Sequence, residues 1–273
     1  MALVGQELSY QYDSNLPLVI NQISLEINPG EAVVVAGLNA SGKSTLLKIL
    51  SGVYRPTSGQ VLLDDIISTR AGRLRPGVGL VMANPERYFF AATVEEEIGF
   101  GIQNRGVKPK QVRELVVQAL RAVNLGDEFL RRNPFFLSLG EQRKVGIAAT
   151  LVLQPHYLLL DEPFSNLDIN GVNSLAGYLK AFAEAGHTVI VTSHRALEVM
   201  WCQRLLVLDQ GQLCYDGQLE DWQLKPQLPV LLTEAAYLRF CLAKRGIIID
   251  HLASPQEIAN QIILARARGV ALD

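Results

Sequence analysis

Cysteine is scarce in this sequence and shows no pattern. The three cysteines among 273 residues are Cys202, Cys214 and Cys241. This odd, scattered set matches neither a disulfide framework nor a zinc site. We therefore expect all three to be small buried apolar residues, in a protein that works in a reducing compartment, the cytoplasm.

Long apolar runs and a strong net charge are also missing. No apolar stretch approaches the roughly 18 residues that span a bilayer, and residues 1–7 lack the basic region and apolar core of a secretory signal. The net charge of −2 gives no bulk attraction to nucleic acid or anionic lipid. Any work at a membrane would therefore need another chain to supply the spans.

Residues 37–44 form the most informative motif. They read Gly-Leu-Asn-Ala-Ser-Gly-Lys-Ser, which matches the phosphate-binding pattern G-x-x-x-x-G-K-S. A β-rich apolar run precedes the motif and a helix-like run follows it, so backbone N–H groups and a helix N-terminus should form a concave anion site. Lys43 should approach the β- and γ-phosphates of a nucleotide, and the Ser44 hydroxyl should hold Mg²⁺. The residues expected to cradle the phosphates are Gly37, Asn39, Ala40, Ser41, Gly42, Lys43, Ser44 and Thr45.

Two adjacent acids follow a second apolar run. Asp161 and Glu162 come directly after residues 157–160, which read as a buried strand. In open parallel sheets, ligands bind at the carboxyl edge. Asp161 would act on Mg²⁺ through its water shell, and Glu162 would orient or deprotonate the attacking water. Without the phosphate loop, these two adjacent acids would be explained equally well as a solvated pair of charges in a loop.

The order of elements predicts an α/β fold. Residues 7–31 indicate antiparallel strands, and further strands are expected at residues 61–63, 78–82, 157–160 and 188–192. Between residues 82 and 157 the pattern is helical. A capping box at residues 93–96 opens one helix, and an apolar stripe over residues 112–123 marks another that ends near Gly126.

The C-terminal part is separable. Residues 205–215 read as a hairpin, and a capping box at residues 254–257 opens a later helix. We therefore expect a main domain over residues 1–218, a helical subdomain within it at about 84–150, and a small helical appendage over residues 219–273.

A third motif identifies a family resemblance. Residues 137–142 read Leu-Ser-Leu-Gly-Glu-Gln, which resembles the Leu-Ser-Gly-Gly-Gln signature of ABC ATPases and precedes a helix at about residues 142–153. The ordered set of phosphate loop, signature, acidic strand, residues 165–168 and residues 192–194 resembles an ABC nucleotide-binding domain, which has a RecA-like P-loop NTPase core with an antiparallel β subdomain.

The resemblance implies further site residues. His194 is similar to the histidine that contacts the γ-phosphate, and Asp168 to the aspartate of the loop that crosses to a partner subunit. Tyr12 resembles the aromatic residue that stacks on adenine, with Tyr10 as the competing candidate. In this family two domains associate head to tail around two ATP molecules. Ser138 and Gly140 would then meet ATP that is bound to the partner, although Ser138 is equally a helix N-cap.

Residues 82–87 and 93–101 resemble the ATPases of energy-coupling-factor transporters, including cobalt-type importers. This implies a subunit on the cytoplasmic face of the membrane that drives uptake of vitamins or of nickel and cobalt. Its expected partners are a second ABC ATPase, a membrane scaffold whose cytoplasmic helices dock near residues 83–100, and a substrate-binding membrane subunit.

One position departs from the family. Ala83 stands where glutamine usually reaches Mg²⁺ and the attacking water, and Leu139 replaces a signature glycine. Because Lys43, Asp161, Glu162 and His194 remain, we favour an active ATPase. Two alternatives stay open: an ATP-binding partner with a degenerate, weakly hydrolysing site, and a soluble ABC ATPase that acts on DNA or ribosomes. A nucleoside kinase would share only the phosphate loop.

Overall fold

The computed structural model describes residues 2–63, 66–67, 72, 74–193, 196–199 and 201–222. His194, Cys241 and nearly all of the expected appendage lie outside the described residues. The predictions for these parts of the chain stay predictions.

The first sheet is antiparallel and has four strands in the order β2-β1-β4-β5. Its strands are β1 (Leu3–Tyr10), β2 (Ile20–Ile27), β4 (Ser58–Leu63) and β5 (Ile66–Ile67). In β2, buried and solvent-facing residues alternate, as expected for a strand with one face on the core. The sequence-based prediction of antiparallel strands between residues 7 and 31 is confirmed, although β1 starts at Leu3.

The second sheet has six strands in the order β10-β9-β3-β8-β7-β6. Its strands are β3 (Ala32–Gly37), β6 (Val78–Val81), β7 (Tyr157–Leu160), β8 (Thr188–Thr192), β9 (Arg204–Asp209) and β10 (Gln212–Gln218). All neighbours are parallel except β10, which forms the predicted hairpin with β9. Every residue of β3, β7 and β8 is buried, because several helices cover one face of this sheet, and the first sheet with the helix Lys43–Ser51 covers the other.

The helices are α1 (Lys43–Ser51), α2 (Val94–Gln103), α3 (Pro109–Ala122), α4 (Leu139–Leu151), α5 (Ile169–Glu184), α6 (Ala196–Val199) and α7 (Leu219–Trp222). Short 3-10 turns lie at Pro85–Tyr88, Asp127–Phe129 and Pro134–Phe136. The predicted capping box at Thr93 is present. Two predicted helix bounds were wrong: α4 begins at Leu139, because Ser138 caps it, and α3 ends at Ala122.

The core lies on both faces of the six-stranded sheet. Along β3, Val34 packs into the cluster that includes α2–α5, and Val33 and Val35 pack against α1 and the antiparallel sheet. This alternation follows from the two-residue period of a strand. Among the residues that the structure describes, we find no helix with the length and apolar character of a bilayer-spanning segment.

The prediction for the cysteines holds for one of the two that are described. Cys202 is buried, whereas Cys214 is exposed. The prediction that Cys214 is buried was wrong because β10 is an edge strand, in which every second side chain faces solvent.

Candidate functional site

The phosphate loop joins the end of β3 to the start of α1, and two glycines shape it. Gly37 has φ of 151° and Gly42 has φ of 104°, which is the region where only glycine is unstrained. A Cβ on Gly37 would collide with the Leu208 carbonyl oxygen, and one on Gly42 would lie 2.8 Å from the Val19 carbonyl oxygen. The loop can therefore fold tightly against β9 and the start of β2 only with glycine at these positions.

The start of α1 is built for an anion. The first helical hydrogen bond runs from Leu46 N to Gly42 O at 2.8 Å, so the N–H groups of residues 43–45 have no acceptor inside the helix. The Ser41 hydroxyl is buried and has no hydrogen-bond partner among the described residues. A phosphate group would satisfy these donors and would meet the positive end of the helix dipole.

Lys43 is folded onto its own loop. Its Nζ donates to the carbonyl oxygens of Gly37 at 3.0 Å and Leu38 at 2.9 Å. Burial lowers the pKa of Lys43, and the charges of Glu162 and Asp161 oppose this by raising it. The two sequence motifs are thus brought together: the ammonium of one lies within electrostatic reach of the carboxylates of the other.

The acids lie where β7 ends, as predicted, and a threonine from the next strand joins them. Thr192 Oγ1 donates to Asp161 Oδ1 at 2.8 Å and accepts from the Glu162 N–H at 2.8 Å. Leu160 pairs with Val191 in the parallel ladder, so this register places Thr192 directly beside the acids. Asp161 is buried and its position is fixed by a neighbouring strand, which contradicts the alternative of a solvated pair of loop charges.

Glu162 has a constrained backbone. Its φ is 49°, which is unusual for a residue with a side chain and occurs most often at functional sites. Arg143 Nη1, from the inner face of α4, donates to the Glu162 carbonyl oxygen at 3.1 Å. Thr192 therefore holds the backbone N–H of Glu162, and Arg143 holds its carbonyl oxygen. Sequence reasoning missed Arg143, for which the only signal was a cation on the apolar face of a helix.

Ser138 caps α4. Its hydroxyl donates to Glu141 Oε2 at 2.7 Å and accepts from the Glu141 N–H at 3.4 Å. The Ser138 N–H also donates to Glu141 Oε2, at 2.8 Å, and the two bonds to the carboxylate lower the pKa of Glu141. Among the described residues, no hydrogen bond joins Ser138 or Gly140 to the phosphate loop.

The loop over residues 165–168 packs against the signature. A Cβ on Gly140 would lie 2.9 Å from the Asn166 carbonyl oxygen. Asp168 caps α5 by accepting from the Gly171 N–H at 2.8 Å. Phe136, Leu139 and Ile169, which lie in or next to these two segments, expose 88%, 56% and 79% of their surface.

Tyr12 rather than Tyr10 faces solvent beside the phosphate loop. Tyr12 is 53% exposed and its hydroxyl lies 2.9 Å from Thr45 Oγ1. Tyr10 is half-buried, and burial raises its pKa. Ala83 follows β6, whose Val81 carbonyl oxygen accepts from the Asp161 N–H at 2.9 Å, so a longer side chain at position 83 would start close to the acids.

Comparison with known proteins decides the family. Residues 20–165 match the ABC transporter family, which is more than half of the chain. The chain belongs to the ABC transporter family. It is an ATP-binding protein and an ATPase, and its α/β core with an antiparallel subdomain is the P-loop fold of this family.

The relatives of this ABC ATPase include transporter subunits. It is 36% identical over 231 residues to the energy-coupling factor transporter ATP-binding protein EcfA2 of Streptococcus thermophilus, covering 81% of this chain and 82% of that one. It is 37% identical over 221 residues to EcfA1 of Halalkalibacterium halodurans, covering 79% and 78%. A putative ABC transporter ATP-binding protein of Methanosarcina acetivorans is 33% identical over 273 residues, covering 98% and 95%.

Solved structures of ABC ATPases have the same fold. CbiO1 of Clostridium perfringens, part of the ABC transporter complex CbiONQ, superposes with a TM-score of 0.73 at 27% identity, covering 89% of this chain and 95% of that one. A dimeric ATP-binding cassette in a post-hydrolysis state with ADP and phosphate superposes with a TM-score of 0.71 at 24% identity, covering 80% and 98%. The first supports the family and the second supports the fold.

Proposed function

We propose that this chain is the ATP-hydrolysing motor subunit of an importer of the energy-coupling-factor type, which takes up a vitamin or cobalt or nickel. The observation that supports the ATPase site is the hydrogen-bonded group of Asp161, Glu162 and Thr192, whose two carboxylates lie within electrostatic reach of the Lys43 ammonium. The similarity to EcfA2, EcfA1 and CbiO1 supports the type of transporter.

The proposed roles follow from the geometry of the site. The loop from Gly37 to Thr45 binds the phosphates through its N–H groups, and the Lys43 ammonium exchanges its two carbonyl acceptors for phosphate oxygens. Ser44 and Asp161 would hold Mg²⁺, which supplies positive charge against the phosphates. Their donor set of hydroxyl and carboxylate oxygens fits this hard cation. Glu162 orients or deprotonates the attacking water.

A second copy or a related ATPase completes the site in this proposal. Ser138 and Gly140 would meet a nucleotide held by another subunit, which agrees with the lack of a hydrogen bond, among the described residues, from either one to the phosphate loop of its own chain. Asp168 lies beside them, at the start of α5. His194 would contact the γ-phosphate. We keep the division into a nucleotide-binding domain (1–218) with a helical subdomain (about 84–150) and an appendage (219–273) as part of the proposal.

The proposed docking surface for the membrane scaffold lies at the start of α2. Tyr88, Phe90 and Phe100 are each about half exposed, and the rings of Phe90 and Phe100 are 4.6 Å apart. The buried Glu97 carboxylate accepts from the N–H groups of Phe90 at 3.0 Å and Ala91 at 2.9 Å, which fixes this loop. Such exposed aromatic groups are typical of protein interfaces, and docking here would place the chain on the cytoplasmic face of the membrane.

The test is Glu162→Gln. The purified variant should bind Mg-ATP as tightly as wild type and release no phosphate over repeated turnovers, because the amide cannot accept a proton from water. Binding is measured by calorimetry and turnover by phosphate release. Equal turnover of wild type and Glu162→Gln would refute the proposed ATPase site. Copurification of a membrane scaffold and a substrate-binding membrane subunit with the chain tests the transporter assignment separately.

Ala83 favours one second candidate, an ATP-binding partner subunit that hydrolyses poorly. Its methyl group cannot replace the usual carboxamide near the acids. A single-turnover measurement, with enzyme in excess over ATP, distinguishes the motor subunit from the weakly hydrolysing partner subunit. Complete hydrolysis by the isolated chain supports the motor, whereas ATP that stays bound and intact supports the degenerate partner.

A further inference from the structure

Three tyrosines form an aromatic cluster beside α1, here called the tyrosine cluster: Tyr10, Tyr12 and Tyr54. The rings of Tyr10 and Tyr54 are stacked, with centroids 5.2 Å apart and planes 7° apart. The Tyr12 ring is perpendicular to both, at 5.2 Å and 84° from Tyr10 and at 6.0 Å and 88° from Tyr54. Edge-to-face and offset-stacked pairs are the favourable arrangements of aromatic rings.

Contacts at both ends hold Tyr12. Its ring rests against the stacked pair, and its hydroxyl is hydrogen-bonded to Thr45 Oγ1 at 2.9 Å, in the first turn of α1. The Lys48 ammonium lies over the Tyr54 ring, 5.2 Å from its centroid, and the Tyr54 N–H donates to the Lys48 carbonyl oxygen at 3.0 Å. The cluster is therefore tied to the same helix that carries the phosphate loop.

The exposure of the three rings differs. Tyr12 is 53% exposed, whereas Tyr10 and Tyr54 are half-buried. The Tyr54 ring is engaged by Tyr10 and Lys48, so we expect Tyr54 to act on a ligand through its neighbours rather than by direct contact. A ring that is held in place before binding loses less conformational entropy when a ligand stacks on it.

We propose that Tyr54 is a positioning residue for the nucleotide base: stacked on Tyr10, it holds the Tyr12 ring in the orientation that receives a purine. This inference rests on the proposed ATP-binding function, with the base stacked on Tyr12 as the resemblance to ABC ATPases implies. The stacked pair and the Thr45 bond fix the Tyr12 ring relative to the phosphate loop, so the base and the phosphates are recognised by one preformed unit. Tyr54 contributes only to ligands that carry a base.

The test compares two ligands of the full chain. Mg-ATP carries the base, and the magnesium complex of ribose 5′-triphosphate lacks only the base. In Tyr54→Leu, the affinity for Mg-ATP should fall three- to tenfold, as expected for the loss of aromatic contacts worth about one stacking interaction. The affinity for ribose triphosphate should stay unchanged. Tyr54→Phe keeps the ring and should bind both ligands as wild type does.

Two results overturn the inference. One is an unchanged affinity of Tyr54→Leu for Mg-ATP; the other is an equal loss for both ligands, which is the signature of a merely structural role. If Tyr54→Leu does not fold, Tyr54→Met replaces the flat ring with a flexible chain of similar size, and the same ratio of its affinities for Mg-ATP and ribose triphosphate is measured.

Tyr12→Ala tests the placement of the base on Tyr12 separately from the role of Tyr54. If it leaves the ratio of the two affinities unchanged, the proposed base placement itself fails. If it changes the ratio and Tyr54→Leu does not, only the role of Tyr54 fails.

Discussion

Thr192→Val removes the hydroxyl that joins the two acids of the site. In the native structure this hydroxyl donates to Asp161 Oδ1 and accepts from the Glu162 N–H, both at 2.8 Å, and Thr192 is fully buried. Valine has nearly the same shape, so the substitution leaves no large cavity. Its effect isolates the two hydrogen bonds.

The magnitude follows from these bonds. A hydrogen bond to a charged group contributes about 1.5–3 kcal/mol to the free energy of unfolding, and a buried N–H left without a partner costs at least about 1 kcal/mol. Together they amount to about 3 kcal/mol, which lowers the Tm of a chain of this size by about 6–12 °C. Turnover should also fall about 100-fold, because the proposed base Glu162 loses one of the contacts that hold its strained backbone.

The assay combines calorimetric unfolding without nucleotide and phosphate release with saturating Mg-ATP. Thr192→Ser is the matched control, because it keeps the hydroxyl and loses only a methyl group. If Thr192→Val melts as high as Thr192→Ser and hydrolyses ATP as fast, the hydroxyl bridge does not organise the site and the reasoning is refuted.

Three further changes test separate features. Ala40 has φ of 63°, so Ala40→Gly should relieve strain and raise the free energy of unfolding by about 0.5–1 kcal/mol, measured by denaturant titration. Ala83→Gln places a carboxamide next to the acids and should raise the turnover of the isolated chain about tenfold, the equivalent of one added hydrogen bond. The lowered pKa of Glu141 stabilises the fold above the ordinary pKa of a glutamate. This contribution should be lost as the pH falls below about 4, and Glu141→Gln should flatten that part of the profile of Tm against pH.

Each of these expectations has a contrary outcome. A lower stability of Ala40→Gly would mean that the flexibility gained by the unfolded chain outweighs the relief of strain. Unchanged turnover of Ala83→Gln would show that position 83 does not limit hydrolysis. A profile with the same acid limb in wild type and Glu141→Gln would remove the capping box as a source of the pH dependence.

Features that depend on a few consecutive residues could be predicted from the sequence, whereas contacts between elements far apart in the chain could not. The phosphate loop, the capping box at Thr93 and the acids after an apolar run each occupy a few consecutive residues, so pattern and spacing suffice. The bridge from Thr192 to Asp161 depends on the register of β7 and β8, and the bond from Arg143 to Glu162 depends on the rotation of α4 about its axis. Neither quantity is encoded in a short motif.

The tyrosines show the same limit. The sequence favoured Tyr12 for stacking on a base and kept Tyr10 as the competing candidate, because a short motif does not show which of the two rings is exposed. Only the burial of Tyr10 against Tyr54, which comes from another part of the chain, separates them. The exposure of Cys214 likewise depends on β10 being at the sheet edge, which no local pattern reveals.

The capping box at Ser138 has a consequence for the reopening of the proposed dimer. A hydroxyl has a single proton to donate, and Ser138 already gives it to Glu141. Contact with the partner's ATP in the proposed dimer would therefore take this proton from the carboxylate, while the Ser138 oxygen still accepts from the Glu141 N–H and the Ser138 N–H still donates to Oε2. Helix α4 would stay capped and lose one hydrogen bond, at a cost on the order of 1 kcal/mol. Once phosphate leaves, the hydroxyl would return to the carboxylate, and this regained bond would favour separation of the two subunits.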